Sequence, residues 1–421
     1  MTRILSLSAL LFATSLPSLK GAGYQLAERS AAGLGRAFSG ESAIADDASV
    51  LGSNPAGMSF LDGLSFSAGF NAILADVDVD GDSALPSRSG PASQNGVIPE
   101  SLVPYLYLTN QFSDHFSAGF GVYTTYGLRS DYSGAFADAT LTNLSELISV
   151  NFNPALSFRI DESIAIGVGF DALYAEGELT SNSLSPIGLP ATKVEGDDWG
   201  YGYNVGLMLS PTPETRLGLH YRSSISLNLE GSVEFTGVGP ALEPSASLAV
   251  QLPDTLEVSI YHQLDEKWAV HGDILWTQWS KFQSLDVQTD NPTGTLGTQN
   301  PGSRPDLPPV REDWEDSFRY SMGATYTHND RLTLRCGVAY DESPTRTEVR
   351  TLRIPDADRI WGSIGASYRL QNDLTVDLGY THIFARDAQI RRSSESGNES
   401  FFSGKAEGKV NILALGVSGS F

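Results

Sequence analysis

Short polar turns alternate with long irregular stretches at regular spacing from about Leu64 to the terminal Phe421, and a closed membrane barrel fits this rhythm. The turns are Ser113-Asp114, Asp161-Glu162, Pro213-Glu214, Asp265-Glu266, Asn329-Asp330 and Asn372-Asp373. Each is flanked by alternating apolar and polar residues that read as strands. Longer stretches rich in Gly, Pro, Ser and Asp fall at roughly 80–100, 127–145, 180–197, 236–247, 288–311, 343–358 and 389–403. Seven hairpins joined by six turns make about fourteen antiparallel strands, an even number with short periplasmic turns and long external loops, as bacterial outer-membrane barrels have. The expected fold is all-β, with both ends of the barrel in the periplasm.

Strand parity is legible in the better segments. Ile164, Ile166, Val168, Phe170, Ala172 and Tyr174 share one face, and Gly167, Gly169 and Asp171 the other. A soluble sandwich would show the same alternation, so the aromatic residues decide. Trp199, Tyr201 and Tyr203 at the start of one strand, and Trp268 and Trp276 on another, fit interfacial girdles; Leu413, Leu415, Val417 and Phe421 share one face of the last strand. The closing run KVNILALGVSGSF resembles the terminal signal of outer-membrane barrels, so the barrel assembly machinery and outer-membrane lipid are expected partners. Beyond the N-terminus no run of about eighteen apolar residues occurs, which argues against a helical span.

Residues 1–21 read as a secretory signal peptide: Arg3, an apolar stretch from Ile4 to Leu16, then Pro17, Ser18 and the small residues Gly21 and Ala22. The single Cys336 rules out an internal disulfide framework, and parity puts it on the lipid face beside Leu334 and Val338. The net charge of −23 disfavours nucleic acid as a partner; abundant aromatics and strand patterning assign the acids to loops and lumen. Between the signal peptide and the first strand, residues 22–62 are rich in small residues, lack strand alternation and suffice to plug a lumen. Fourteen strands enclose a lumen wide enough to leak unless filled.

This segment resembles the N-terminal hatch of the FadL/TodX family, outer-membrane transporters of long-chain fatty acids and other hydrophobic compounds. GLGRAFSGESAIADDAS and Asn54-Pro55-Ala56 carry the match, which continues through TTYGL, NFNPALSFRI, WGYGYNVGL, LPDTLEVSIYHQLDEKWAVHGDILWTQWSKF and IPDADRIWGSIGASY over nearly the whole mature chain. The resemblance implies a hatch at 22–62, a barrel at 63–421, a monomer, and passive transport without cofactor or catalytic residue. It implies ligand capture between external loops, an inner pocket and lateral release. That route suits an apolar chain, which would forfeit about 0.8 kcal/mol per CH₂ in water. Gly127, after Tyr126, matches the glycine at the family's third-strand kink, and glycine suits a break in pairing. The start of the hatch, Ala22 to Leu26, and Phe38 are expected at the inner pocket; Asn54-Pro55-Ala56 reads as a turn, and the resemblance implies gating by Ala22, Gly23, Tyr24, Asn54, Pro55, Ala56, Tyr126 and Gly127.

Leu184, Ile187 and Leu189 in the third loop and Val238 and Leu242 in the fourth are apolar for exposed loops; they suit a binding groove or loop packing. A fatty acid also needs a basic partner for its carboxylate. The family's arginine at the start of the third loop is Ser181 here, while Arg311 matches the second basic residue, which leaves a neutral hydrocarbon open as the ligand. By parity Arg159, Arg222, Arg319, Arg335 and Arg369 face Asp171, Glu257, Asp273 and Asp377 in the lumen and read as wall-to-hatch ion pairs. Asp76, Asp78 and Asp80 before Gly81 look like a calcium loop, but Ser87 stands where that motif needs Glu, so a solvated acidic loop is expected. No G-x-S-x-G, phosphate loop or metal-spaced histidine set occurs, which weighs against an enzyme. A general porin is the remaining rival.

Overall fold

The computed structural model describes residues 23–84, 89–132, 142–181, 191–236, 244–289, 310–371, 373–391 and 402–421. Fourteen antiparallel strands close into one barrel. The first, Leu64–Ser83, pairs with the last, Phe402–Ser420, from Ser65↔Ser420 to Ser83↔Phe402. At the seam Leu64 and Phe421 exchange backbone hydrogen bonds of 3.0 and 2.8 Å, and Phe66 stacks on Phe421.

The six short turns lie where the sequence put them, with two to four residues between strands: after Ser113, Arg159, Thr212, Gln263, Asn329 and Arg369. Their polar residues tie the turn locally. Asp161 accepts from the Ser163 and Ile164 amides at 2.7 and 2.9 Å, and Asn329 from Arg331 and Leu332 at 2.9 and 3.0 Å. The external side differs more. The strands Ile164–Ser181 and Ala191–Thr212 stay paired to Ser181↔Thr192, so Ala191–Asp197 is strand rather than loop. Trp199, Tyr201 and Tyr203 therefore lie mid-strand, exposed on the outer face. A strand crosses the hydrocarbon in about 9–11 residues; Ala191–Thr212 has 22, so its upper half stands clear of the membrane. Asp76, Asp78 and Asp80 likewise belong to the first strand and not to a loop: Asp76 pairs with Lys409 at 3.3 Å and Asp78 accepts from the Gly96 amide. No group of three potential metal ligands is found among the described residues.

Parity holds. Ile166, Val168 and Phe170 are 45–50% exposed on the outer wall while Asp171 is fully buried, and Cys336 is exposed between Leu334 and Val338. Among the described residues no helix is long and apolar enough to cross a membrane.

Residues 28–60 are almost entirely buried inside this wall, in two short helices, Ala31–Leu34 and Val50–Ser53, and a 3₁₀ turn, Pro55–Phe60. Ser30 caps the first helix by accepting from the Gly33 amide at 3.0 Å; Pro55 opens the 3₁₀ turn, where its missing N–H is not needed. The segment sits close to the inner wall because the strands present glycine to it. A Cβ on Gly218 would lie 2.0 Å from the Ser42 carbonyl oxygen, and one on Gly337 2.1 Å from that of Arg36. Asn54 locks this arrangement, donating to Ser42 O at 2.7 Å and Leu207 O at 3.2 Å while accepting from Ala56 N.

Of the expected lumen charges, Arg335 pairs with Asp46 of the segment at 3.0 Å, and Arg222 pairs with Asp171 across the wall while donating to Gly52 O at 3.1 Å. Arg319 donates to Ala37 O at 2.6 Å, and Arg159 lies 5.1 Å over the Phe60 ring. The wall arginines thus hold the segment more by carbonyls and a ring than by ion pairs. Arg369 is a correction: it is exposed beside the periplasmic turn, where its amide bonds Arg331 O.

Replacing Gly218 with Val should expel the segment, since the obstructing atom is backbone and cannot rotate away. The expected result is a barrel that still folds but melts with a loss of about 1–3 kcal/mol or more, with the segment newly open to protease, read by thermal unfolding and limited proteolysis in detergent.

Candidate functional site

The third strand is broken. It runs Phe116–Tyr123, skips Thr124-Thr125-Tyr126, and resumes as Gly127–Asp131. Both halves pair with the fourth strand, but only the lower half meets the second, and that ladder stops at Leu106↔Val122. Above it, Ser101–Tyr105 pair with the first strand alone, and Pro104, which has no N–H to donate, sits in this stretch. The gap closes again where the Asp131 amide reaches Val97 O at 2.8 Å. A window is thereby framed in the wall between the second and third strands.

The start of the N-terminal segment fills the break from inside. Gln25 forms a bridge with Tyr126; Leu26 N donates to Thr125 O at 2.9 Å and Gly127 N to Tyr24 O at 3.0 Å. A Cβ on Gly127 would sit 3.0 Å from Leu26. Ser149 of the fourth strand bonds Tyr126 O at 2.7 Å, and the Tyr126 hydroxyl reaches across the lumen to Pro253 O at 3.3 Å. Tyr24 is caged by Trp279, Phe282, Trp314 and Tyr126 at ring separations of 4.7, 5.5, 5.6 and 6.1 Å, and burial, then Tyr126 and Glu312, push its pKa well above the usual phenol range. Gly23, in the left-handed region at φ 66°, donates to Asp356 at 2.9 Å, and a Cβ there would lie 2.6 Å from the Trp314 ring.

A cavity of about 630 Å³ connects these parts. It is lined on the inside by Tyr24, Leu26, Arg29, Trp361 and Ile412, and at the window by Leu102, Gly127, Leu128 and Ile148. Leu102 and Ile148 are 62% and 52% exposed on the outer face, whereas Trp361 and Ile412 are buried, so the cavity passes through the wall. A smaller apolar void of about 60 Å³, walled by Leu179, Leu229, Leu248, Val250 and Phe282, adjoins it through the shared Tyr24, Leu128 and Leu147.

A second interruption provides a contrast. The seventh and eighth strands break at Ser223-Ser224 and Pro253-Asp254, so that Trp199–Tyr203 keep their ladder with the fifth strand but largely lose it on the side of the seventh. Here Ile225 and Leu227 fill the space over Gly200 and Gly202, so the wall is sealed by side chains.

Gly23, Tyr24, Tyr126 and Gly127, singled out from the sequence, thus converge on one site. Ala22, Leu184, Ile187, Leu189, Val238 and Leu242 lie outside the described residues. Phe38 does not line the cavity; it stands behind it, with Arg319 over its ring at 5.4 Å and over Trp361 at 5.0 Å. Asn54, Pro55 and Ala56 lie away from the cavity, as anchors. Arg311 is half-exposed, pairs with Asp313 and lines neither cavity. Sequence reasoning missed the Trp279, Phe282 and Trp314 cage and Arg29; the charged pair Glu28-Arg29 in an otherwise small-residue stretch was the available cue.

A family model described as outer membrane protein transport protein (OMPP1/FadL/TodX) matches residues 11–421. The chain belongs to that family. It is 31% identical to the long-chain fatty acid transport protein of Escherichia coli O6:H1 over 98% of both chains, and 35% identical to a 47 kDa outer membrane protein of Pasteurella multocida over 96% and 95%. Its fold is similar to that of a Pseudomonas aeruginosa FadL homologue, at a TM-score of 0.82 and 22% identity over 95% of this chain and all of the other. The Ralstonia pickettii toluene transporter TbuX follows at 0.67 and 17% identity over 90% and 95%. The family is one of outer-membrane transporters and not of enzymes.

Replacing Gly23 with Val should dislodge the segment tip, because the new side chain meets both the positive φ and the Trp314 ring. The expected outcome is a red shift of tryptophan emission as Trp279 and Trp314 lose their packing, with the barrel's strand content unchanged by circular dichroism.

Proposed function

We propose that this chain is a passive conduit for long-chain fatty acids and similar hydrophobic small molecules, which occupy the cavity and leave sideways through the window between the second and third strands. The observation that carries the reading is that one cavity is lined both by buried lumen residues and by lipid-exposed Leu102 and Ile148. Its volume falls in the range of about 300–1,000 Å³ typical of small-molecule sites. Lateral release keeps an alkyl chain out of water, where each CH₂ would cost about 0.8 kcal/mol. The E. coli relative's name supports a fatty-acid cargo.

On this reading residues 22–62 form the hatch and 63–421 the barrel, residues 1–21 are the secretory leader, and the barrel is a monomer placed by the assembly machinery. The tip at Gly23–Leu26 acts as the gate, since it occupies the break that the exit requires. A neutral hydrocarbon cargo is the second reading, favoured by the apolar window rim at Ile73, Leu102, Leu128 and Ile148.

Replacing Gly127 with Trp should block uptake of labelled oleate while leaving a folded, heat-modifiable barrel. Removal of Gly23–Leu26 should instead leave the window unlatched and give a steady leak in planar bilayers. Normal oleate uptake by the Gly127 variant, together with an unchanged leak, would sink the lateral exit.

A further inference from the structure

The cavity holds a buried cation that neither wall nor segment neutralises. Among the arginines that line it, Arg129 pairs with Glu146 at 3.1 Å, Arg359 with Asp341 at 3.5 Å, and Arg319 is engaged by Ala37 O and two aromatic rings. Arg386 is less deeply buried than Arg29. Arg29 has none of these. It is 9% exposed, forms no ion pair among the described residues, and its Nε is buried without a hydrogen-bond partner. Glu257 is within electrostatic reach, but it forms no ion pair with Arg29 and sits against Asp273. The adjacent Glu28 forms no ion pair with it among the described residues either, and its Oε2 is buried without a hydrogen-bond partner.

Burying a lone charge is strongly unfavourable, and an arginine cannot escape the cost by losing its proton. The penalty is lifted when an anion enters. A guanidinium fork matches a carboxylate geometrically and binds it through charge-assisted hydrogen bonds. We propose that Arg29 anchors the head group of a long-chain carboxylate in this cavity, its tail running past Ile73, Val77, Leu102 and Val103 to the window. The inference rests on the transport reading and narrows it: the cargo is an acid, and discrimination lies in the N-terminal segment, not at Arg311, which sits outside the cavity.

The test measures uptake of labelled oleate and of labelled oleyl alcohol, equal in chain length, by cells lacking their own transporter. The native chain, Arg29→Met and Arg29→Lys are compared, each first checked for a folded, heat-modifiable barrel. Arg29→Met should lower oleate uptake at subsaturating concentration by about tenfold or more, as loss of charge-assisted hydrogen bonds implies, and leave the alcohol within about twofold. Arg29→Lys should restore part of the oleate uptake. Unchanged oleate uptake in Arg29→Met overturns the proposal, and so does parallel loss of both cargoes, which would make Arg29 a structural support while leaving the transport reading intact. Failure of the native chain to carry either compound would instead overturn the transport reading, and this inference with it.

Discussion

Backbone groups inside a bilayer must find partners within the protein, and the break in the third strand exists on that condition. A wall strand that stops pairing at Leu106↔Val122 leaves main-chain donors and acceptors at membrane depth, where nothing in lipid can satisfy them. The start of the N-terminal segment supplies the partners: Tyr24 O accepts from Gly127 N, and Leu26 N donates to Thr125 O. Tip and gap are thus two halves of one hydrogen-bonded unit, which is why the proposed exit requires the tip to move.

That unit needs a seat, and the seat is made by subtraction. Inward-facing glycines at 218 and 337 bring the segment's backbone against the strands, and Asn54 ties it there. The arginines of the wall then bind its carbonyls, so that a segment with only two short helices is held by the barrel rather than by its own secondary structure. This division anchors the lower segment to the barrel and leaves Gly23–Leu26 bonded to the strand break. The second interruption, at Ser223-Ser224, is filled instead by Ile225 and Leu227 of the wall itself.

Much of this architecture was legible in the sequence because turns and parity are local. Asp161, Asp265 and Asn329 mark their reversals through side-chain bonds to nearby amides, and the alternation through Phe170 and Asp171 assigns faces without knowledge of any partner. The external ends were not legible, since strands such as Ala191–Thr212 continue past the membrane with a polar composition that reads as loop. Gly127 was found by resemblance; its own neighbours look like the onset of a loop. Arg29 escaped notice because burial without a counter-ion is a property of three-dimensional surroundings. Arg311 shows the converse, for its sequence position suggested a ligand contact that the fold places outside the cavity.

The central claim is that cargo leaves through the wall and not down the axis. It is tested most directly by attaching a bulky thiol reagent at one of two places, with Cys336 replaced by Ser: Thr124→Cys at the window, or Asp46→Cys on the segment near the periplasmic end of the lumen. Uptake of labelled oleate is followed before and after labelling. The account predicts that labelling at position 124 stops uptake in proportion to modification while labelling at position 46 leaves it standing. Uptake that survives a blocked window and stops with the lower lumen blocked would contradict it.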